Sequence, residues 1–168
     1  MKKQQEQVRT ITGHDITLRE MAENDIPRVS EVLCTCYRWL AEREGFSHEE
    51  LKSLIKMRGS VETVRKESTY ELYLVACKDQ TIAGMVSVKE NEITKLYVDP
   101  AHFRQGVGGT LFRAAERNII ENKYSEIRLV AIGETPIPFY EAMGMSVVGY
   151  KRGHSGRKVA IMKKLFKG

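Results

Sequence analysis

The residues best suited to chemistry in this sequence form a cationic, glycine-rich corner between a strand pattern and a helix pattern. The strand pattern Leu96-Tyr97-Val98 runs into the turn residues Asp99-Pro100. The corner that follows consists of Phe103, Arg104, Gln105, Gly106, Val107, Gly108, Gly109 and Thr110. A glycine corner that opens a helix exposes free backbone N–H groups, and the helix dipole adds partial positive charge there. The sequence therefore predicts a site for a phosphorylated ligand.

Two common nucleotide-binding motifs do not fit this corner. A dinucleotide fingerprint needs a third glycine, where this chain has Leu111, and it follows a first strand rather than a later one. A Walker A loop needs Lys and then Ser or Thr directly after its last glycine, but Gly109 is followed by Thr110 and Leu111. Neither kind of nucleotide site is therefore expected.

The corner instead resembles the pyrophosphate loop of the GNAT N-acetyltransferase superfamily. The superfamily pattern is Gln or Arg, two variable residues, Gly, one variable residue, and then Gly or Ala. The matching window in this chain runs from Phe103 to Gly108. Phe103 departs from the pattern, because it stands where Gln or Arg is usual. A second segment, from Phe139 to Met145, resembles the superfamily's helix motif of Phe or Leu, Tyr, Glu, two variable residues, Gly and Phe, with Met145 in the last position. The two motifs occur in the superfamily's order, and the resemblance covers about residues 70–166.

This resemblance implies how acetyl-CoA is held. Backbone groups of Leu96, Tyr97 and Val98 would pair with the pantetheine arm as an added strand does, and an N–H of this stretch would face the thioester carbonyl. The corner from Phe103 to Thr110 would hold the pyrophosphate. Two positions depart from the superfamily: Gly133 stands where an asparagine commonly contacts the pantetheine, and Pro136 replaces a usual alanine.

The resemblance also implies catalytic residues. Tyr140 falls where many members keep a tyrosine that protonates the departing thiolate, which a phenol can do because its pKa lies above that of a thiol. The alternative interpretation is that Tyr140 only packs in the core. Glu92 lies about where some members place a catalytic glutamate that deprotonates the amine through water, and its alternative interpretation is a solvated hairpin residue. No metal is expected.

Composition favours one domain in a reducing compartment. The chain has 168 residues, is 42% hydrophobic, and contains no apolar run long enough to span a bilayer and no signal peptide. Its three cysteines have no zinc-ligand spacing and are expected to be packing thiols, so a cytoplasmic location is predicted. The net charge of +5 is scattered, and no nucleic-acid-binding module accompanies it. Residues 1–8 are predicted to form a flexible tail and residues 9–168 a single N-acetyltransferase domain.

The elements that must position these residues follow from periodicity. Strand patterns occur at 16–19, 71–77, 82–88, 92–98, 127–132, 146–152 and 158–165, and helical patterns occur at 29–40, 48–66 with a break at Gly59-Ser60, 109–122 and 137–143. This order predicts an α+β, GNAT-like fold. Its centre is a mixed, mostly antiparallel twisted sheet of about six to seven strands flanked by about four helices. The resemblance implies that the sheet is splayed between the strands at 92–98 and 127–132.

The predicted function is acetyl-CoA-dependent transfer of an acetyl group to a primary amine of a small metabolite, peptide or protein, by direct attack in a ternary complex. The alternative is a catalytically silent CoA-responsive binding or regulatory module of the same fold, and a nucleic-acid-binding domain is the least favoured class. The expected partners are acetyl-CoA and an amine acceptor, without a membrane. Glu42, Glu44, Glu49 and Glu50 are candidates to attract the amine, although such residues are more often simply solvated. A homodimer through the closing hairpin is a further expectation.

Overall fold

A computed structural model describes residues 9–11, 15–153 and 155–167, and the tail predicted at residues 1–8 lies outside this part of the chain. Within it, one sheet has eight strands in the order β1-β2-β3-β4-β5-β6-β8-β7. The strands are β1 (Arg9–Ile11), β2 (Ile16–Glu20), β3 (Leu72–Lys78), β4 (Thr81–Lys89), β5 (Glu92–Val98), β6 (Glu126–Ala131), β7 (Ser146–Arg152) and β8 (Lys158–Leu165). The predicted fold class is confirmed. The strand beyond the predicted six to seven is β1, whose three residues are too short to show alternation.

The helices are α1 (Ile26–Glu44), α2 (His48–Leu54), α3 (Val61–Glu67), α4 (Val107–Glu121) and α5 (Ile137–Ala142). A π-helical turn, Ile55–Gly59, follows α2 directly. Ser60 then adopts an extended conformation and its hydroxyl accepts a hydrogen bond from the backbone N–H of Thr63, which starts α3 as an N-cap. The predicted helix at 48–66 is therefore broken at Gly59-Ser60, as its sequence indicated.

The splay of the sheet lies between β5 and β6. These strands are parallel and share one residue pair, Glu92 with Arg128, at the start of both strands. The backbone N–H of Arg128 donates to the carbonyl of Asn91 (2.9 Å), and the Asn91 amide donates to the carbonyl of Glu126 (3.3 Å). After this junction no further residue of β5 pairs with β6, so the two strands diverge and backbone groups of β5 are left unpaired on that side, while the other edge of β6 pairs with β8 along its whole length.

Each face of the sheet carries its own apolar core. Helices α1 and α3 cover one face, where Val32, Leu33 and Tyr37 of α1 are completely buried. Helices α4 and α5 cover the other face, where Leu111 and Phe112 are buried among the apolar side chains of the strands. Burial of each such side chain stabilises the fold by about 1.5–3 kcal/mol. The two packed faces therefore hold β5 rigidly while its edge beside β6 stays open.

Candidate active site

The splay between β5 and β6 opens into a cavity of about 460 Å³. Its walls come from β5, the end of β6, the first turn of α4, one side of α5 and the C-terminal half of α1. Most lining side chains are apolar. The charged residues on the wall are Lys95 and Arg104, and none of the lining residues in the described ranges is a carboxylate. The cavity is therefore apolar with a cationic bias.

The first turn of α4 presents free backbone N–H groups to this cavity. Gly106 precedes the helix with a φ of 83°, in the left-handed region. Because glycine has no side chain, it makes no capping hydrogen bond to the N–H groups of the helix. The first intrahelical bond runs from the N–H of Thr110 to the carbonyl of Gly106 (3.1 Å), so the N–H groups of Val107, Gly108 and Gly109 have no partner inside the helix. Three free donors at the positive end of a 15-residue helix can hold an anion such as a pyrophosphate.

Nine of the eleven predicted cofactor-binding residues line the cavity. They are Leu96, Tyr97, Val98, Phe103, Arg104, Gly106, Val107, Gly108 and Gly109. Gln105 and Thr110 do not line it. The Gln105 amide oxygen lies 3.4 Å from Nδ1 of His102, and the buried Thr110 hydroxyl donates to the Gly106 carbonyl at 2.8 Å. The side chains of these two residues thus stabilise the corner rather than face the cavity.

Tyr140 lies on the cavity wall with its ring buried between two other aromatic rings. Its centroid is 5.2 Å from that of Phe139 and 6.5 Å from that of Phe112. Burial raises the pKa of Tyr140, the neighbouring Tyr97 adds to the rise, and the Arg58 guanidinium opposes it. The phenol is therefore protonated at neutral pH and can donate its proton, while the raised pKa makes it a weaker acid than an exposed tyrosine.

Glu92 does not line the cavity, and its role as the base stays a prediction. It is the exposed first residue of β5, at the junction where β5 still pairs with β6. Six residues of strand separate it from Val98, which corresponds to roughly 20 Å at about 3.3 Å per residue. The position of the splay relative to Glu92 depends on the register between β5 and β6, which no local pattern in the sequence specifies.

Gly133 has a structural reason for departing from the superfamily pattern. Its φ is +83°, and a Cβ there would lie 2.5 Å from Cδ of Glu44. The Glu44 carboxylate accepts hydrogen bonds from the backbone N–H of Thr135 (2.7 Å) and from its hydroxyl. These bonds lower the pKa of Glu44 although partial burial acts in the opposite direction. An asparagine at Gly133 would therefore require the Glu44 side chain to move away from Thr135.

Helix α1 forms a further wall of the cavity that sequence motifs did not indicate. The ring of Trp39 meets the ring of Phe103 edge-on at 5.0 Å, and the Arg43 guanidinium lies 3.6 Å above the Trp39 ring. The Cys36 thiol donates to the carbonyl of Val98 at 3.1 Å. Burial, with a contribution from Asp99, raises the pKa of Cys36 to about 12, so this thiol is a packing group, as predicted.

The described ranges contain neither a candidate metal site nor a candidate membrane-spanning helix. Within the described ranges, no group of three or more His, Cys, Asp or Glu side chains is arranged to hold a metal ion. No helix in the same part of the chain is long and apolar enough to cross a membrane.

Comparison with known proteins agrees with this geometry. The sequence model of the GNAT acetyltransferase domain matches residues 41–166. The chain is 26% identical over 134 residues to the spermidine N(1)-acetyltransferase of Thermoplasma acidophilum, which covers 74% of this chain and 83% of that protein. The crystal structure of the PaiA N-acetyltransferase from Thermoplasma acidophilum in complex with coenzyme A superposes with a TM-score of 0.74 and 26% identity, covering 90% of this chain and 99% of that one. A GCN5-related N-acetyltransferase from Rhodopseudomonas palustris superposes with a TM-score of 0.81 over 89% of this chain and 94% of that one, at 18% identity, and this likeness concerns the fold alone.

Proposed function

The chain belongs to the GNAT acetyltransferase family and is an acyltransferase, and from this premise we propose that it transfers the acetyl group of acetyl-CoA to a primary amine by direct attack in a ternary complex. One observation carries the proposal. The free N–H groups at the start of α4, the unpaired edge of β5 and the phenol of Tyr140 all border a single cavity. This arrangement brings an anion site, a strand edge and a proton donor together.

The donor half of the cavity fits acetyl-CoA. The N–H groups of Val107, Gly108 and Gly109 would hold the pyrophosphate, and Arg104, exposed beside them, adds positive charge. The backbone of Leu96–Val98 borders the cavity and would pair with the amides of the pantetheine arm. When bound, acetyl-CoA supplies a thioester, which is an activated acyl group. The structure of a 26% identical N-acetyltransferase in complex with coenzyme A supports this assignment.

In the proposed reaction, Tyr140 donates the phenolic proton to the sulfur as the carbon–sulfur bond breaks. A backbone N–H of β5 that faces the cavity would stabilise the negative charge that develops on the carbonyl oxygen. The amine must reach the site in its neutral form, and the walls of the described cavity offer no carboxylate to deprotonate it. We therefore assign no side-chain base: the ammonium group loses one proton to water, and the neutral nitrogen attacks the carbonyl carbon. The nitrogen releases its second proton to water as the carbon–sulfur bond breaks, and a proton from water restores the phenol of Tyr140.

The acceptor is proposed to be a primary amine of a small metabolite, peptide or protein, with polyamines as the first class to test. The relative of 26% identity is named a spermidine N(1)-acetyltransferase, which is the reason for this order. Among the glutamates considered from the sequence, Glu44 already accepts two hydrogen bonds from Thr135 and Glu50 is paired with Arg157. Exposed Glu42 and Glu49 are therefore better placed to attract a distant ammonium group.

The decisive experiment is an amine panel assayed by release of the CoA thiol and by the mass of the product. Spermidine, spermine, aminoglycosides, free amino acids and peptides with a free N-terminus are each incubated with acetyl-CoA and the full chain. We expect amine-dependent thiol release with one acetyl group added to the acceptor. Binding of acetyl-CoA without amine-dependent turnover across the panel would favour the silent, CoA-responsive module instead.

Location and assembly belong to the same proposal. The three cysteines of the chain are unpaired, which supports a reducing compartment and hence the cytoplasm. The outer strand β7 exposes Val148 and Tyr150, which are 57% and 48% accessible, and supports a homodimer through the β7–β8 hairpin. Light scattering of the purified chain, with Val148→Lys as the disrupting variant, tests this assembly.

A further inference from the structure

Arg58 lies half-buried behind the candidate active site, and its inaccessible Nε has incomplete hydrogen bonding. It belongs to the π-helical turn Ile55–Gly59, and its Nη2 donates to the carbonyl of Thr94 at 2.9 Å. Its Nε is buried without a hydrogen-bond partner in the described part of the chain, as is the hydroxyl of the fully buried Tyr37. The ring of Tyr37 packs edge-on against that of Tyr97 at 5.0 Å, and Tyr97 lines the cavity.

The carbonyl that Arg58 binds belongs to a β-bulge. Ser87 of β4 pairs with Lys95, and Val88 pairs with Ile93, so Thr94 is left over in β5. The Thr94 hydroxyl lies 2.7 Å from that of Ser87 and donates to the Glu71 carboxylate at 2.5 Å. A bulge redirects the strand that contains it. Arg58 thus fixes the backbone of β5 immediately before the stretch that borders the cavity.

Arg58 is also the charged group that acts on the phenols of the cavity. The titratable and charged groups around it are Tyr37, Glu67, Tyr73, Lys95, Tyr97 and Tyr140. Glu67 is engaged by the Lys95 ammonium at 2.5 Å and by the Tyr73 hydroxyl at 2.8 Å, which offsets its charge. Burial raises the pKa values of Tyr97 and Tyr140, and the Arg58 guanidinium opposes the rise in both. Cys36, which also acts on Tyr97, keeps its proton.

Stability does not explain this arrangement. A buried guanidinium with an unpartnered N–H is costly, and apolar residues of similar volume often stabilise such positions as well or better. Arg58 and Tyr37 lie one layer behind the cavity, against Thr94 and Tyr97 of its wall, and unpartnered buried groups next to a pocket are more typical of functional sites. We propose that Arg58 is a positioning residue for acetyl transfer, which fixes the bulge at Thr94 and places a permanent positive charge behind Tyr97 where the thiolate forms. This inference rests on the proposed function, because it takes the sulfur to lie near Tyr140.

The proposal predicts the ionisation of bound CoA, which can be measured without any acceptor. The affinities of CoA and of desulfo-CoA are compared between pH 6 and 10, so that their ratio isolates ionisation of the thiol. With an assumed separation of about 8 Å between the guanidinium and the thiol and an effective dielectric constant of about 30, loss of the charge raises the pKa of the thiol by about one unit. We therefore expect Arg58→Met and Arg58→Gln to raise the pKa of the bound thiol by about one unit, and Arg58→Lys to keep it near the wild-type value.

Four variants separate charge, hydrogen bonding and folding. Arg58→Gln is neutral but keeps a donor for the Thr94 carbonyl, whereas Arg58→Met loses both, so Met should lower kcat more than Gln. Arg65→Met removes an equally charged side chain from the exposed face of α3, where Arg65 is 53% accessible. This control variant should change neither the pKa of the bound thiol nor kcat. If Arg58→Met fails to fold, Arg58→Gln and Arg58→Lys still compare the pKa of the bound thiol with and without a positive charge at this position.

The outcomes for Arg58 and for the function differ. An unchanged thiol pKa in both neutral variants would overturn the role of Arg58, even if kcat falls, since a purely structural defect lowers kcat without changing ionisation. A wild-type protein that binds neither CoA nor desulfo-CoA would instead overturn the proposed function, and the inference with it.

Discussion

Substitution of Gly108 by Asp, with Asn as the matched control, tests the anion site directly. Gly108 is the second residue of α4, and its N–H is one of the three free donors. A Cβ there would lie 3.1 Å from Cε2 of Phe139 and 3.7 Å from Cγ2 of Val98. Asp and Asn have nearly the same shape, so both displace the Phe139 ring equally. They differ only in the negative charge that Asp adds.

The size of the charge effect follows from the position of the residue. A carboxylate in the first turn of α4 would lie about 5 Å from a pyrophosphate bound there, and an effective dielectric constant of about 40 suits this half-exposed site. Repulsion by two phosphate charges then amounts to about 3 kcal/mol, or about a hundredfold in Kd. Because a carboxylate near a helix N-terminus favours the helix, Gly108→Asp should be at least as stable as Gly108→Asn while it binds acetyl-CoA less well.

Trp39 provides the assay. It is the single tryptophan of the chain and lies on the cavity wall against Phe103, so its fluorescence should report acetyl-CoA binding. Titrations at about 0.05 M and about 0.5 M salt should show the gap between Asp and Asn narrowing as screening increases. Equal Kd values for Asp and Asn at low salt would refute the reasoning, since the pyrophosphate would then lie elsewhere.

Three further predictions concern catalysis and stability. Tyr140→Phe should lower kcat by about a hundredfold with little change in acetyl-CoA affinity, because only the proton donor is lost; unchanged turnover across the pH range in the thiol-release assay would remove Tyr140 as the acid. Glu92→Gln should leave kcat within about twofold in the same assay, because the residue is roughly 20 Å from Val98 along β5, and a large loss would restore Glu92 as the base. Arg157→Ala should lower Tm at pH 7 but not below about pH 2. The Arg157 hydrogen bond lowers the pKa of Glu50 in the folded protein to about 2, from its ordinary value of 4.5. A carboxyl group whose pKa is lowered by folding stabilises the fold at any pH above its pKa in the unfolded chain. This stabilisation is lost as the pH falls through the pKa of the folded protein. Thermal unfolding followed by circular dichroism measures the difference in Tm between the wild type and Arg157→Ala. A difference in Tm that persists below pH 2 would show that another contact of Arg157 stabilises the fold.

Much of the fold could be predicted because its information is local. The hairpins β3–β4 and β4–β5 have turns at Asp79-Gln80 and Glu90-Asn91, where Asp79, Gln80 and Glu90 adopt positive φ, and the alternation on either side is regular. The short edge strand β1 was missed because three residues give no periodicity, and its pairing with β2 depends on tertiary contact.

The sequence information for the donor half of the candidate site is also local, whereas that for the rest of the site lies in distant segments of the chain. The stretch from Leu96 to Gly109 contains both the strand edge and the helix start in one continuous segment, so a local motif and the resemblance it carries could indicate residues that line one cavity. The bulge at Thr94 depends on Arg58, which lies in a different helical segment, and the junction at Glu92 depends on pairing with β6. Contacts between distant segments leave no periodic signal in a single sequence.

Two of the departures from the superfamily pattern, Phe103 and Gly133, lie against α1. Phe103 replaces a polar residue at the start of the anion corner, and there it packs against Trp39 of α1. Gly133 replaces a residue with a side chain, and there Glu44 of the same helix enters the vacated space and binds Thr135. The C-terminal half of α1 therefore contacts the cavity wall at both ends, one beside the pyrophosphate corner and one on the loop before α5. Both residues are therefore explained by packing against one helix, which the local sequence around each of them does not reveal.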